Sequence, residues 1–146
     1  MKVETTRFGE IEVEEDNVLN FLVGPYGFEE EKEFVLWSEE ETPFFWMQSI
    51  NSPDLAFVVS EPWAFYEEYE FDISEQLEEK LALKSQDEVL VFNIIVIPEN
   101  PKEMTMNLKS PIVINKKERL AKQIILEEED YPVRYRLFND QDNVSA

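Results

Sequence analysis

Short apolar runs separated by turn-forming residues fill most of this chain and leave little room for helices. Within residues 7–13, Ile11 and Val13 alternate with glutamates, which is the two-residue period of a strand with one buried face. Residues 24–27 and 51–54 combine glycine, proline or asparagine with polar neighbours, a composition that favours turns. The predicted strands are 7–13, 18–23, 33–37, 44–50, 55–59, 89–97, 106–108, 112–114, 123–126 and 133–137. This pattern predicts a mostly β chain.

One segment carries the signals of a helix. Ser74 is a candidate N-cap, Glu75 follows it at the positive end of the helix dipole, and Leu77 and Leu81 share one face. We expect a helix of about three turns there. With about nine or ten strands and no internal repeat, the sequence predicts a single-domain antiparallel β-barrel-like fold, or a barrel-like sandwich, with one short helix.

Length and composition support one folded domain. The chain has 146 residues, of which 43% are hydrophobic, and a chain of this size can bury a substantial core without disulfides. We assign the β domain to residues 1–138. Residues 139–146 have no apolar pattern, so we expect a flexible carboxyl-terminal tail.

The residue types that are missing exclude whole classes of chemistry. The sequence has no histidine and no cysteine, so it cannot form a Ser-His-Asp or Cys-His nucleophile, a thiolate or imidazole zinc site, or a disulfide. The amino terminus lacks the apolar stretch of a signal peptide, and the longest apolar run, residues 89–97, is too short for a membrane helix. We expect a cytoplasmic protein with no cofactor and no membrane association.

The net charge of −20 is concentrated in the first part of the chain. Residues 1–90 carry a net charge of −19, and residues 91–146 carry −1. Binding to nucleic acid depends on neutralising phosphates with lysine and arginine, so direct binding to RNA or DNA is not expected. A basic protein is the better partner for such a surface. The alternative is that the acidic residues only keep the protein soluble.

Runs of acidic residues suggest a second class of function. Two converging carboxylates could act as the acid and base of a carboxylate-dependent hydrolase in a small β-barrel, or could hold a hard cation. Neighbouring residues on a strand point to opposite faces, however, so a run is not a pair. We therefore expect solvated turns rather than a catalytic or metal site at the runs 14–16, 29–31, 39–41, 67–68 and 127–130.

Aromatic residues on the predicted central hairpin are candidates for protein recognition. Alternation places Phe44, Trp46 and Gln48 on one face of the strand and Phe45 and Met47 on the other. One of these faces belongs to the core, which accounts for many of the rings. An exposed aromatic surface rimmed by acid suits binding to a protein, and we single out Phe45 and Gln48 as candidate contacts.

The carboxyl-terminal third offers a different candidate surface. Asn107 and Asn115 frame the Ser110-Pro111 break, where a strand edge with unpaired backbone groups could accept an extended peptide by strand addition. Arg134 could receive an acidic side chain at the same edge. We single out Asn107, Pro111, Asn115 and Arg134 as candidate contacts. The alternative is that the two asparagines only cap the local turn.

Several ordered blocks of this sequence resemble the flagellar assembly factor FliW family, over roughly residues 3–137. The resemblance lies in the blocks 42–50, 53–59, 69–72, 107–115, 122–123 and 131–134. Two turns depart from the family pattern. Pro25 stands one place earlier than the proline of the family's glycine-proline turn, and Ala121 replaces a usual glycine.

The resemblance implies a small cytoplasmic β-barrel-like protein without catalytic activity. It implies binding to flagellin and to CsrA, a basic RNA-binding dimer that represses translation. It further implies that repression of flagellin synthesis is relieved once flagellin leaves for export. The partly disordered ends of unassembled flagellin would suit strand addition, because such ends can order on binding.

Overall fold

The structure is a computed structural model that describes residues 1–38 and 42–138. Within these residues the chain forms eleven strands and one α-helix. The elements are β1 (Lys2–Thr5), β2 (Gly9–Glu12), β3 (Val18–Phe21), β4 (Glu33–Trp37), β5 (Phe44–Ser49), β6 (Ala56–Ser60), α1 (Glu75–Lys80), β7 (Val89–Val96), β8 (Thr105–Met106), β9 (Ile112–Asn115), β10 (Leu120–Gln123) and β11 (Tyr135–Arg136). The predicted tail 139–146 and the acidic run 39–41 lie outside the described residues.

Seven strands close into a barrel, in the order β3-β4-β5-β6-β7-β9-β10 and back to β3. Neighbouring strands are antiparallel except β10 and β3, which run parallel with Leu120 opposite Asn20 and Ala121 opposite Phe21. A ring with an odd number of strands cannot alternate in direction all the way round, so one parallel pair is required. The predicted β-barrel fold with one short helix is confirmed, with this parallel pair as the exception to its antiparallel pairing.

The interior of the barrel is filled by side chains that alternate along its strands. Phe34, Met47, Val59, Ile112 and Ile114 are fully buried there, and Phe92 is almost fully buried. On β5, Phe45 and Met47 face this interior, whereas Trp46 points outwards. The predicted alternation of this strand is therefore confirmed, and its inward face is the one that carries Phe45.

The β1–β2 hairpin covers the outer face of β4 and β5. Val3 and Val13 pack on Val35, and the ring of Phe8 lies edge-on to Trp46 at 5.2 Å between centroids. Sequence patterns identified the second strand of this hairpin but not β1. Thus Trp46 is half-buried beneath the hairpin, outside the barrel.

A second hydrophobic cluster lies on the outer side of β7. It is built from Tyr69, Ile95, Met106, Leu108 and Leu126, so the segment between β6 and α1 packs against strands β7 and β8. Beside it, Leu77 of α1 and Leu81, which follows the helix, pack on Val113. The barrel therefore has a covered outer face as well as a filled interior.

Helix α1 begins as predicted and ends earlier than predicted. The Ser74 hydroxyl accepts a hydrogen bond from the Leu77 N–H at 3.1 Å, which confirms the N-cap. The helix has six residues, and the chain leaves it at Ala82, where φ is +56°. The expectation of three turns was wrong. None of the described helices is long and apolar enough to cross a membrane.

The predicted strand at 123–126 was placed about three residues too late. Arg119, with φ of +63°, closes a tight turn after β9, so β10 begins at Leu120. Residues beyond β10 stay bonded to the loop before β9, because Ile124 N–H donates to the Pro111 carbonyl and Leu126 N–H to the Lys109 carbonyl. These bonds are not part of the regular β9–β10 ladder, so the strand ends at Gln123 although the chain stays hydrogen-bonded beyond it.

Candidate protein-binding surface

Phe45 and Gln48 both have partners within the fold. The Phe45 ring lies edge-on to Phe92 inside the barrel, with 5.2 Å between centroids. Gln48 is 2% exposed, and its Nε2 donates to the carbonyls of Ser49 at 3.1 Å and of Pro53 and Leu55 at 3.2 Å. The amide of Gln48 thus holds the turn between β5 and β6. A binding role for either residue stays a prediction.

Asn107 caps the turn that precedes β9. Its Oδ1 accepts the backbone N–H groups of Lys109 at 3.0 Å and Ser110 at 3.1 Å. Pro111 is buried, and its carbonyl accepts the Ile124 N–H at 3.0 Å. Strand β9 is paired on both sides, by β10 and β7. The predicted open edge at Ser110-Pro111 was therefore wrong, and the local-cap alternative describes the role of Asn107.

Asn115 is fully buried and joins the β9–β10 turn to the end of α1. Its Oδ1 accepts from the N–H groups of Lys117 at 2.9 Å and Glu118 at 3.0 Å. Its Nδ2 donates to the carbonyls of Leu81 at 2.8 Å and Ala82 at 3.1 Å. All four bonds are internal, so this side chain is a structural link between two elements.

Arg134 is the exposed member of the predicted set. It lies just before β11, and with Val96, Glu103 and Arg136 it lines an open cavity of about 470 Å³. Within the described part of the chain, β11 has a strand neighbour on one side only, β8. Within the described residues, the outermost strand of this sheet therefore lies beside Arg134, and not at Ser110-Pro111.

Carboxylates near the β3–β4 loop stabilise local structure. The Glu31 carboxylate accepts from the Ser49 hydroxyl at 2.9 Å and also from the Ser52 hydroxyl. The Gly27 N–H donates to Glu29 at 2.9 Å and holds the pKa of that carboxyl below its usual value. A general acid needs a raised pKa, which is the opposite shift. Within 1–38 and 42–138, no three acidic side chains are grouped as a metal site would require.

An aromatic layer covers the outer face of β7. The Tyr69 hydroxyl donates to the Leu108 carbonyl at 2.5 Å and accepts a 3.4 Å bond from Asn93 Nδ2. Burial raises the pKa of Tyr69 to about 12, so the phenol is neutral at physiological pH. The Trp63 Nε1–H donates to the Tyr69 carbonyl at 2.7 Å. These bonds fix the two rings relative to each other and to the barrel.

A cavity of about 310 Å³ opens in this layer. It is lined by Trp63, Tyr69, Glu70, Phe71, Ile73, Gln86, Val89 and Val91. We call it the Trp63 pocket. Residues 61–72, which form one side of it, contain five acidic residues and no basic one. The sequence showed these rings and acids as neighbours along the chain. It did not show that 61–72 folds over β7 to enclose a cavity.

Together these features define a small acidic β-barrel protein with an aromatic layer on its outer face. The family model described as FliW protein matches residues 2–137, and the chain belongs to the FliW family. It is similar to the flagellar assembly factor FliW of Caldicellulosiruptor saccharolyticus, with 42% identity over 138 residues, 94% of this chain and 91% of the relative.

Two further relatives agree with this assignment. The flagellar assembly factor FliW of Geobacillus thermodenitrificans is 39% identical over 141 residues and covers 97% of this chain and 98% of its own. A crystal structure of the flagellar assembly factor FliW superimposes with a TM-score of 0.89 at 38% identity, over 97% of this chain and 99% of that one. The resemblance seen in the sequence is confirmed at the level of family and fold.

Proposed function

We propose that this chain is a non-enzymatic, cytoplasmic flagellar assembly factor that binds flagellin and the translational repressor CsrA. By binding CsrA it relieves the repression of flagellin translation. The family membership supports the role in flagellar assembly. The observation that carries the choice of a basic regulatory partner is the net charge of −19 within residues 1–90.

The excess of acidic residues affects how fast a basic partner associates with this protein. With 33 acidic and 13 basic residues, at least twenty carboxylates have no basic side chain of their own to pair with. Such a surface attracts a basic protein over about one Debye length, about 8 Å at physiological salt, and raises the association rate. The same field repels RNA phosphates. Binding to an RNA-binding protein without binding its RNA follows from this electrostatics.

Flagellin is the second partner in the proposal. The resemblance implies it, and the open cavity beside Arg134, lined also by Val96 and Glu103, is a surface that a segment of a partner could occupy. We propose Arg134 as a contact for an acidic side chain there, within a binding domain of residues 1–138.

The salt dependence of CsrA binding tests this proposal. Surface plasmon resonance with purified CsrA and with unassembled flagellin is expected to show binding to both. For CsrA, the association rate is expected to fall as salt rises from low to physiological concentration, because screening weakens the attraction. An association rate that does not change over this range contradicts the charge argument. Direct binding of the chain to RNA at physiological salt contradicts the proposed function.

A further inference from the structure

We propose that the Trp63 pocket receives an arginine or lysine side chain from a basic partner protein. This inference rests on the proposed function and names the place where its basic partner is anchored. The pocket combines aromatic walls, a carboxylate and a fixed geometry, and each of these features favours a cationic side chain.

The walls of the pocket supply aromatic rings. Trp63 is 41% exposed and Tyr69 is 2% exposed, and their ring centroids lie 6.1 Å apart. The Phe71 ring lies next to Tyr69, at 5.7 Å. Cations are attracted to aromatic faces, most strongly to tryptophan, and arginine is the most frequent partner in proteins. The accessible indole of Trp63 is therefore the main recognition element of the pocket.

The polar lining of the pocket has the complementary charge. Glu70 and Gln86 are the polar residues of the lining, and their side chains carry a carboxylate and an amide oxygen that can accept hydrogen bonds. Glutamates 61, 67 and 68 and Asp72 lie in the same segment and add to the negative potential. A guanidinium has five N–H donors and no acceptor, so it can satisfy a carboxylate and an amide oxygen together.

The pocket is held in shape before any partner binds. The Trp63 indole is fixed by its bond to the Tyr69 carbonyl, and Tyr69 is fixed by its bond to Leu108. At Glu70, the backbone N–H donates to the Tyr131 hydroxyl at 3.1 Å, and that hydroxyl donates to the Glu70 carbonyl at 2.9 Å. Fixed walls reduce the entropy lost on binding, which favours an anchor site.

The size of the cavity limits what it can hold. At about 310 Å³ it lies at the lower end of the range for small-ligand sites. One side chain fits such a volume, and a helix does not. Fully desolvated anchor residues of this kind carry much of the energy of many protein interfaces, and arginine is enriched among them.

The first test measures CsrA affinity by surface plasmon resonance. We expect Trp63→Ala to weaken binding about tenfold or more, and Trp63→Phe to retain most of the affinity because a ring remains. Glu70→Gln is expected to weaken binding severalfold. Its matched control is Glu79→Gln on α1, which removes the same charge from the chain but does not line the pocket. Thermal unfolding of each variant separates loss of the pocket from loss of the fold.

A second test does not depend on CsrA. N-acetyl-arginine methylamide, titrated into the labelled chain, is expected to shift the NMR signal of the Trp63 indole N–H, which Trp63→Phe identifies. The uncharged citrulline analogue is expected to leave it unchanged. The absence of an arginine-dependent shift overturns the proposed chemistry of the pocket, even if CsrA binds.

The two tests separate the pocket from the function. If CsrA binds the native chain but binds Trp63→Ala and Glu70→Gln equally well, the pocket is not the anchor and the proposed function stands. If arginine shifts the indole signal but CsrA does not bind the native chain, the proposed function fails and the anchoring of CsrA fails with it.

Discussion

Replacing Asn115 with aspartate exchanges an amide N–H₂ for an oxygen in a fully buried side chain of nearly the same shape. The oxygen that replaces Nδ2 faces the carbonyls of Leu81 and Ala82, at the positions where the amide donates at 2.8 and 3.1 Å. Two hydrogen bonds become two repulsive contacts between oxygens. We therefore expect Asn115→Asp to be strongly destabilising, although the substitution is isosteric.

The folded variant has a lower free energy when the new carboxyl is protonated, because its O–H then donates to one of the two carbonyls. Keeping an aspartate protonated at pH 7 requires its pKa to rise by about 3 units from about 3.9, at about 1.4 kcal/mol per unit. The N–H groups of Lys117 and Glu118 favour the anion at the other oxygen and oppose this rise. Because the site is buried and two carbonyls face the charge, we expect the cost to be about 3–5 kcal/mol.

The pH dependence gives this prediction its direction. A pKa that is raised in the folded state means that the native variant binds more protons than the unfolded chain, so its stability falls as pH rises above about 3.9. The stability that Asn115→Asp loses relative to the natural chain is expected to grow by about 2 kcal/mol between about pH 5.5 and pH 7. Urea unfolding followed by tryptophan fluorescence measures it at both pH values.

Asn115→Ala is the matched control for this experiment. It removes the same hydrogen bonds and introduces no titratable group, so its cost is expected to be equal at the two pH values. A loss of stability below about 1 kcal/mol for Asn115→Asp at pH 7 would refute the buried-link role of Asn115. An equal loss at both pH values would refute the raised pKa of the new carboxyl.

Three further substitutions test other parts of the fold. Tyr69→Phe removes a hydroxyl whose pKa is raised to about 12. In thermal unfolding, the natural chain is expected to be more stable than this variant below pH 10, and this difference in stability should vanish as pH rises through 12. Gly24→Ala would place a Cβ 2.1 Å from the Phe28 carbonyl oxygen and should lower the free energy of unfolding in urea by about 3 kcal/mol. Its control, Gly9→Ala, has a positive φ but no close neighbour and should lower it by about 1–2 kcal/mol. Gln48→Ala leaves turn carbonyls without their donor and should cost about 1–3 kcal/mol by the same measurement, whereas an unchanged midpoint would show that the amide does not hold the turn.

The sequence predicted those features that depend on local pattern. The inward face of β5, the N-cap at Ser74 and the turn at 51–54 follow from side-chain alternation and turn chemistry, and the structure confirms them. The closure of the barrel through β7–β9 and β10–β3 pairs strands that are distant along the chain. A local pattern does not encode which strands pair, so this closure could not be derived from it.

The end of α1 illustrates the same limit. Leu81-Ala82-Leu83 continues a helical composition, but the carbonyls of Leu81 and Ala82 are bound by Asn115, 34 and 33 residues away. The amide residues show a different limit, because a side chain that caps a local turn has the same residue type as one that binds a partner. The sequence suggests Asn107 and Asn115 as contacts at a strand edge, and Gln48 as a contact on the aromatic hairpin, yet each binds backbone groups nearby in the chain. The bonds from Asn115 to Leu81 and Ala82 are the ones that depend on the folded chain.

Release of RNA from CsrA tests the proposed function most directly. CsrA is bound to the leader of flagellin messenger RNA, and the purified chain is added at physiological salt while bound RNA is followed by fluorescence anisotropy. The proposed function predicts that RNA is released as the chain binds CsrA. RNA that stays bound to CsrA at a saturating concentration of the chain would contradict it.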